Sequence, residues 1–335
     1  MQAVVFHRYG SPDVVELREL DRPVAGDGEV LVRVRAASVN ALDWRVTTGR
    51  PYFVRMMEGL PKPKNPRLGV DLAGQIEAVG RNVTRFQPGD EVFGAQRGAF
   101  AEYVCAPEEA LALKPANLTF EQAAAVPVAG LTALQGLRDK GRVQPGHNVL
   151  INGASGGVGT FAVQIAKSLG ANVTAVCSSR NVAMVRSLGA DQVIDYRQED
   201  FTRSGQRYDL IFDVAGNRSL SACRRVMSAR GTYVAVGGPD GRWIGPAAPL
   251  LKALLLSRFV SQNLVPFVSA LSQADLVVLK ELIEANQVTP VIERCYPLSE
   301  VAEAIRYLET GHARAKVVIT LSEGVQKLPA PKTIE

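Results

Sequence analysis

Residues 149–180 read VLINGASGGVGTFAVQIAKSLGANVTAVCSSR, and this stretch decides the fold. After the turn pair Pro145-Gly146, the apolar run predicts a strand over 147–152. A glycine-rich loop follows, with Gly153, Gly156, Gly157 and Gly159, and then a helix whose Ala162, Ile165, Ala166 and Leu169 share one face. Gly170 suits the left-handed position that ends a helix, and the next strand is expected over 172–177. Strand, glycine loop, helix and strand make one βαβ unit. A glycine loop at a helix start lets a diphosphate approach bare backbone N–H groups. In the G-x-G-x-x-G pattern the first glycine is Ala154, and Gly156 and Gly159 take the other two places, with Ser155, Gly157 and Val158 between them. A tight structural turn that binds nothing is the competing reading. The strand before and the helix after the loop weigh against it.

Working outward, the chain after about residue 124 continues to alternate. Strands are predicted at 192–195, 208–214 and 232–236, and helices at 181–188 and 218–227. Such alternation means a parallel sheet covered on both faces. A helix is expected over 273–285, then a last helix over 299–309 with Ser299 as N-cap, and a closing strand over 316–320. Before residue 123 the pattern is mostly β, with short strands near 3–7, 29–37, 70–78, 91–94 and 99–104 punctuated by glycine and proline. Residues 51–66 carry prolines at 51, 61, 63 and 66 and read as an irregular flap or a solvated connector. Thr119 with Gln122 makes a capping box, and Pro127 is expected to interrupt the helix it opens before a second helix at 131–139.

The chain of 335 residues is 47% hydrophobic and 21% charged, ordinary for a soluble enzyme of about two domains. Its net charge of +5 comes from scattered residues without a Lys/Arg run interleaved with aromatics, which argues against a nucleic-acid partner. Cys105, Cys177, Cys223 and Cys295 lie far apart with no C-x-x-C, which fits a reducing, cytoplasmic setting. Lys252, Arg258, Gln262 and Asn263 interrupt the apolar window 249–268, so a membrane span is not expected there. Peripheral membrane contact and a subunit interface are the two readings left for that window.

The coenzyme is read at the end of the second strand. NAD-binding versions of such a unit usually place an acid ~20 residues after the glycine loop, on the ribose 2′-hydroxyl. Here the position holds Cys177-Ser178-Ser179-Arg180. Hydroxyls and a guanidinium hold a 2′-phosphate, which a carboxylate would repel. The expected cofactor is therefore NADPH.

With these residues in hand, the chain resembles the medium-chain dehydrogenase/reductase superfamily, in its zinc-free quinone oxidoreductase and enone reductase branch. The landmarks are VNALD (39–43), GVDLAGQIEAVG (69–80), FQPGDEVFG (86–94), VAGLTA (128–133), NGASGGVG (152–159), SLGADQVIDY (187–196) and AKVVIT (315–320). The resemblance implies an α/β fold, a Rossmann doubly wound parallel sheet inserted in a mostly β, GroES-like catalytic domain. The catalytic domain would hold residues 1–123 and 290–335, the NADPH-binding domain residues 124–289. A homodimer is implied as well.

Zinc-dependent members of that superfamily carry ligands where this chain has Asn40, Val70 and Val128. Valine cannot bind a metal and asparagine is a poor zinc ligand, so no metal is expected. The resemblance also implies that Thr132, Gly237 and Gly238 approach the ribose and nicotinamide end, and that Lys316 reaches back towards the cofactor. Ser178, Arg180 and Tyr196 would surround the 2′-phosphate. Ala315 stands where the family usually has glycine before that lysine. Asn40 and Tyr52 are the polar groups expected to face the acceptor, with the alternatives that Asn40 bonds loop backbone and Tyr52 sits exposed on the flap. The implied activity is hydride transfer from NADPH to a quinone or α,β-unsaturated carbonyl. Two other readings stay open: a non-catalytic NADPH-binding protein, and a peripheral membrane quinone reductase.

Overall fold

A six-stranded, wholly parallel sheet forms around the glycine-loop unit in the computed structural model, which describes residues 1–237, 261–311 and 313–321. Its strand order across the sheet is Gln192–Asp195, Asn172–Cys177, Asn148–Asn152, Tyr208–Asp213, Met227–Ala235 and Asn263–Pro266. Numbered within this unit the order is 3-2-1-4-5-6, so the chain reverses direction across the sheet between Asn148–Asn152 and Tyr208–Asp213. Crevices that take ligands open at such a switch point. Successive side chains serve opposite faces: Val149 and Ile151 join one buried cluster and Leu150 another, as do Leu210 and Phe212 against Ile211. This double burial explains why the strands read as continuous apolar runs. The expected doubly wound sheet inserted in a mostly β unit is therefore the fold.

The second sheet runs Ile292–Pro297, Lys316–Thr320, Glu29–Val39, Asp71–Val79, Glu91–Ala95 and Leu111–Leu113, with Tyr103–Pro107 also paired to Glu29–Val39. Its two C-terminal strands join the N-terminal ones through Val317 opposite Val39. Chain ends more than 250 residues apart in sequence thus share one core, in which Val301, Ala304 and Ile305 pack with Val32, Leu72 and Val317.

Several local expectations hold in detail. Thr119 and Gln122 exchange the two capping-box bonds, at 3.3 and 3.0 Å. Pro then Gly in Gln87-Pro88-Gly89-Asp90 suits the two central positions of a type II turn, and there Gly89 has φ +99° and the Asp90 N–H donates back to the Gln87 carbonyl. Three expectations need correction. The helix opened at Thr119 ends at Ala124, ahead of Pro127 as expected, but the second helix starts at Pro127 and not at Leu131, because a proline at the first helical position gives up no intrahelical bond. Ser299 lies inside a 3-10 turn, Leu298–Glu300, and the N-cap of Val301–Glu309 is Glu300. The segment 51–66 contains a short helix, Phe53–Glu58. Among the described residues no helix is long and apolar enough to cross a membrane. Of the window 249–268, residues 249–260 lie outside the described residues, and Asn263–Pro266 is the last strand of the six-stranded sheet among the described residues.

Candidate functional site

The helix Gly157–Ser168 starts at Gly156, which offers no side-chain cap, so its first-turn N–H groups gain no bond from a capping side chain. Gly159 is dictated by packing: a Cβ there would stand 2.1 Å from the Gly153 carbonyl oxygen. That is the close helix–strand approach that the third glycine of the motif permits. Gly237 is equally constrained, since its Cβ would stand 1.9 Å from the Val214 carbonyl oxygen. It closes the fifth strand through its N–H to the Asp213 carbonyl. Gly238 lies outside the described residues. Ala154 is buried beneath the loop.

At the end of the second strand, Ser178 is buried and Arg180 and Tyr196 are exposed, Tyr196 to 43%. The residue that links this corner to the loop is Asn181, which sequence reading missed. Its Nδ2 donates to Ser155 Oγ at 2.9 Å and to Ser178 Oγ at 3.2 Å, and its buried Oδ1 has no partner among the described residues. A second finding qualifies the reading of an acid-free corner. Asp195, on the neighbouring strand, accepts from Ser179 Oγ at 2.5 Å and from the Arg197 N–H at 3.0 Å. The Ser179 bond, first among several, holds its carboxyl below the usual range. Ser179 is thus committed to Asp195.

A buried polar cluster is built from residues far apart in sequence. Asn40 is the N-cap of the helix Ala41–Thr48, following the strand Glu29–Val39. Asp71 opens the strand Asp71–Val79, directly opposite Ser38. Lys316 opens the closing strand. Lys316 Nζ donates to Asn40 Oδ1 at 2.8 Å and to Asp71 Oδ2 at 3.2 Å. Asn40 Nδ2 and Ser38 Oγ donate to the same Asp71 oxygen at 2.9 and 2.8 Å. The other oxygen, Asp71 Oδ1, accepts from the Val128 N–H at 2.9 Å, at the start of the helix that carries Thr132. Lys316 and Asp71 are 3% and 0% exposed, so this ion pair is dry and its charges are weakly screened. Asp71 has no signature in the sequence beyond a lone acid in an apolar run.

Asp43 lies beside this group and accepts the Asn40 backbone N–H at 2.7 Å. Burial pushes its carboxyl up to about 7; the Asn40 N–H opposes the shift, the negative charge of Asp71 adds to it, and Lys316 and the Gly69 N–H oppose it.

The loop and the closing strand are stitched together by a bridge between Gly156 and Ala315. Ala315 takes φ +60°, the left-handed value its usual glycine would adopt freely. Thr132 Oγ1 donates to the Val128 carbonyl at 2.6 Å and stands 2.9 Å from Ser269 Oγ, a second residue not anticipated. Tyr52, ahead of the flap helix, stands with Arg55, whose guanidinium lies 5.0 Å from the Tyr52 ring centre and 4.7 Å from that of Tyr9. The flap is tied down by the Arg97–Glu58 pair and by Tyr9 Oη donating to the Gly59 carbonyl at 2.6 Å. The structure therefore joins Asn40 to Lys316 and Ser155 to Ser178, and sets Tyr52 in an aromatic–cationic cluster on the flap. Among the described residues no group of three or more His, Cys, Asp and Glu is arranged to hold a metal ion.

Family models described as "Alcohol dehydrogenase GroES-like domain" and "Zinc-binding dehydrogenase" match residues 26–116 and 188–319. A chloroplastic quinone oxidoreductase of Triphysaria versicolor is 32% identical, covering 95% of this chain and 98% of its own. The chloroplastic NADPH-dependent alkenal/one oxidoreductase of Arabidopsis thaliana is 34% identical, covering 95% of this chain and 79% of its own. Among solved structures, the Escherichia coli quinone oxidoreductase complexed with NADPH superposes with a TM-score of 0.83 at 26% identity, over 96% of this chain and 100% of that one. The chain belongs to the medium-chain dehydrogenase/reductase superfamily of oxidoreductases, in its quinone oxidoreductase and enone reductase branch.

Proposed function

We propose that this protein is a zinc-independent, NADPH-dependent reductase of quinones or α,β-unsaturated carbonyls such as enones and alkenals. The observation that carries the reading is the buried cluster of Asn40, Asp71 and Lys316. Asn40, Val70 and Val128 stand where zinc-dependent members have ligands, and Asn40 is engaged with a dry Lys316–Asp71 pair beside the glycine loop. Two features of the crevice fit NADPH. The uncapped start of Gly157–Ser168 suits a diphosphate. The unpartnered Asn181 Oδ1, buried between the loop and the second strand, suits a sugar hydroxyl.

When bound, the coenzyme supplies the hydride, and the protein's own part is to hold, orient and exclude water. Gly156, Gly157, Val158 and Gly159 present backbone N–H groups and the positive end of a helix to the diphosphate. Ser155, Ser178, Arg180 and Tyr196, with Asn181, hold the adenosine side. Thr132, Gly237 and the stem of Lys316 border the nicotinamide end, and Asn40 and Tyr52 border the acceptor. In this reading residues 1–123 and 290–335 form the acceptor domain and 124–289 the coenzyme domain. The strand Asn263–Pro266, last in its sheet among the described residues, supports a homodimer, and four free, well-separated cysteines support a cytoplasmic, reducing setting.

A steady-state screen of NADPH and NADH against quinones, enones, alkenals and simple ketones tests the reading. NADPH with an electron-poor quinone or enone should give turnover. Stoichiometric NADPH binding with no turnover on any acceptor would instead favour the non-catalytic reading.

A further inference from the structure

The Asn40 amide is the donor that sequence reading assigns to the acceptor, yet both its ends are occupied. Nδ2 donates to Asp71 Oδ2 at 2.9 Å and to the Ser38 carbonyl at 3.5 Å, and Oδ1 accepts from Lys316. The Lys316 ammonium carries three protons. The described residues offer it two acceptors, Asn40 Oδ1 and Asp71 Oδ2. Its stem lies against the glycine loop, where a Cβ on Gly157 would meet Lys316 Cδ at 3.0 Å. The side chain thus passes along the loop and carries its charge on to Asn40, with one proton left to give.

We propose that Lys316 is the electrophile of this site. Asp71 and Asn40 hold its ammonium towards the oxygen of the acceptor and away from the coenzyme phosphates. The inference rests on the reductase reading above. As the acceptor carbon gains the hydride pair and NADPH becomes NADP⁺, an acceptor π pair moves onto the oxygen. Lys316 stabilises that charge by a hydrogen bond, and water supplies the proton that completes the product. A cation fixed in a dry site acts strongly on developing charge because nothing reorganises during the step. Asp71 is a positioning residue that acts through Lys316.

The test begins with NADPH binding to the wild type, followed by quenching of protein fluorescence. Failure there sinks the reductase reading before this inference is reached. Lys316→Gln should lower kcat by about 100-fold, the scale for losing one oxyanion donor, while the NADPH Kd stays within about three-fold. Asp71→Asn should lower kcat by about ten-fold and tighten NADPH, since the released ammonium can turn to the phosphates. Where either single variant does not fold, Asp71→Leu with Lys316→Met removes both charges together, an exchange that buried pairs often tolerate. That double variant should show the same kcat loss with NADPH affinity kept. An unchanged kcat in Lys316→Gln, or an NADPH Kd raised about ten-fold or more, would overturn the proposal. Asp71→Asn with unchanged or weaker NADPH binding would overturn the role given to Asp71.

Discussion

The backbone N–H of Ala315 donates to the Ser155 carbonyl at 2.8 Å, fastening the closing strand to the coenzyme loop. Ala315 makes this bond at φ +60°, where a Cβ costs about 1–2 kcal/mol. Ala315→Gly should therefore raise Tm by about 2 °C in scanning fluorimetry, with the loop bond kept. A lowered Tm would mean that the Cβ packs usefully in that conformation.

Arg180 supplies the positive charge at the end of the second strand, beside buried Ser178. Arg180→Ala should raise the NADPH KM by about ten-fold or more, the scale of a lost hydrogen bond to a charged group, and leave the NADH KM within about two-fold. Parallel loss with both coenzymes would refute the assignment to the 2′-phosphate. Because Asp195 occupies Ser179, Ser179→Ala should affect NADPH much less than Arg180→Ala.

Asp43 sets a pH dependence whose sign follows from its raised pKa of about 7. The folded chain binds this proton more tightly than the unfolded chain, in which an aspartate titrates near pH 4. The stabilisation is complete below about pH 4 and is lost as pH rises through about 7. Above that, a carboxylate sits buried beside Asp71, with Lys316 as the nearby cation. Asp43→Asn can still accept the Asn40 N–H but cannot ionise. The Tm of the variant relative to wild type should therefore rise between pH 5.5 and pH 8.5. A difference independent of pH would show that Asp43 titrates elsewhere.

Zinc removal should change nothing. After dialysis against a strong chelator, turnover with NADPH and a quinone or enone should match that of untreated protein, and elemental analysis should find substoichiometric zinc. Activity lost to chelator and restored by zinc would end the metal-independent reading.

Much of the fold is legible because its signals are local. The run 172–177 is a strand in sequence and in space, and the capping box at Thr119 closes as read. Where legibility failed, the competing term was tertiary. The strand Ile292–Pro297 reads IERCYP, polar and half exposed, and becomes a strand only by pairing with Lys316–Thr320. Val15–Glu19 is mostly exposed and exists by pairing with Gln2–Phe6. An edge strand buries little, so its sequence carries little periodicity.

The site divides in the same way. Gly156, Gly157 and Gly159 announce themselves because a βαβ turn needs bare backbone within a few residues, and so spacing alone marks the coenzyme loop. The landmark AKVVIT marks Lys316 for the cofactor and Asp71 falls in GVDLAGQIEAVG, but nothing local in either says that the two side chains meet. Their meeting spans 245 residues, and that of Lys316 with Asn40 spans 276. Folding decides this pair, because a charge becomes affordable in the interior only when partners from distant strands arrive around it.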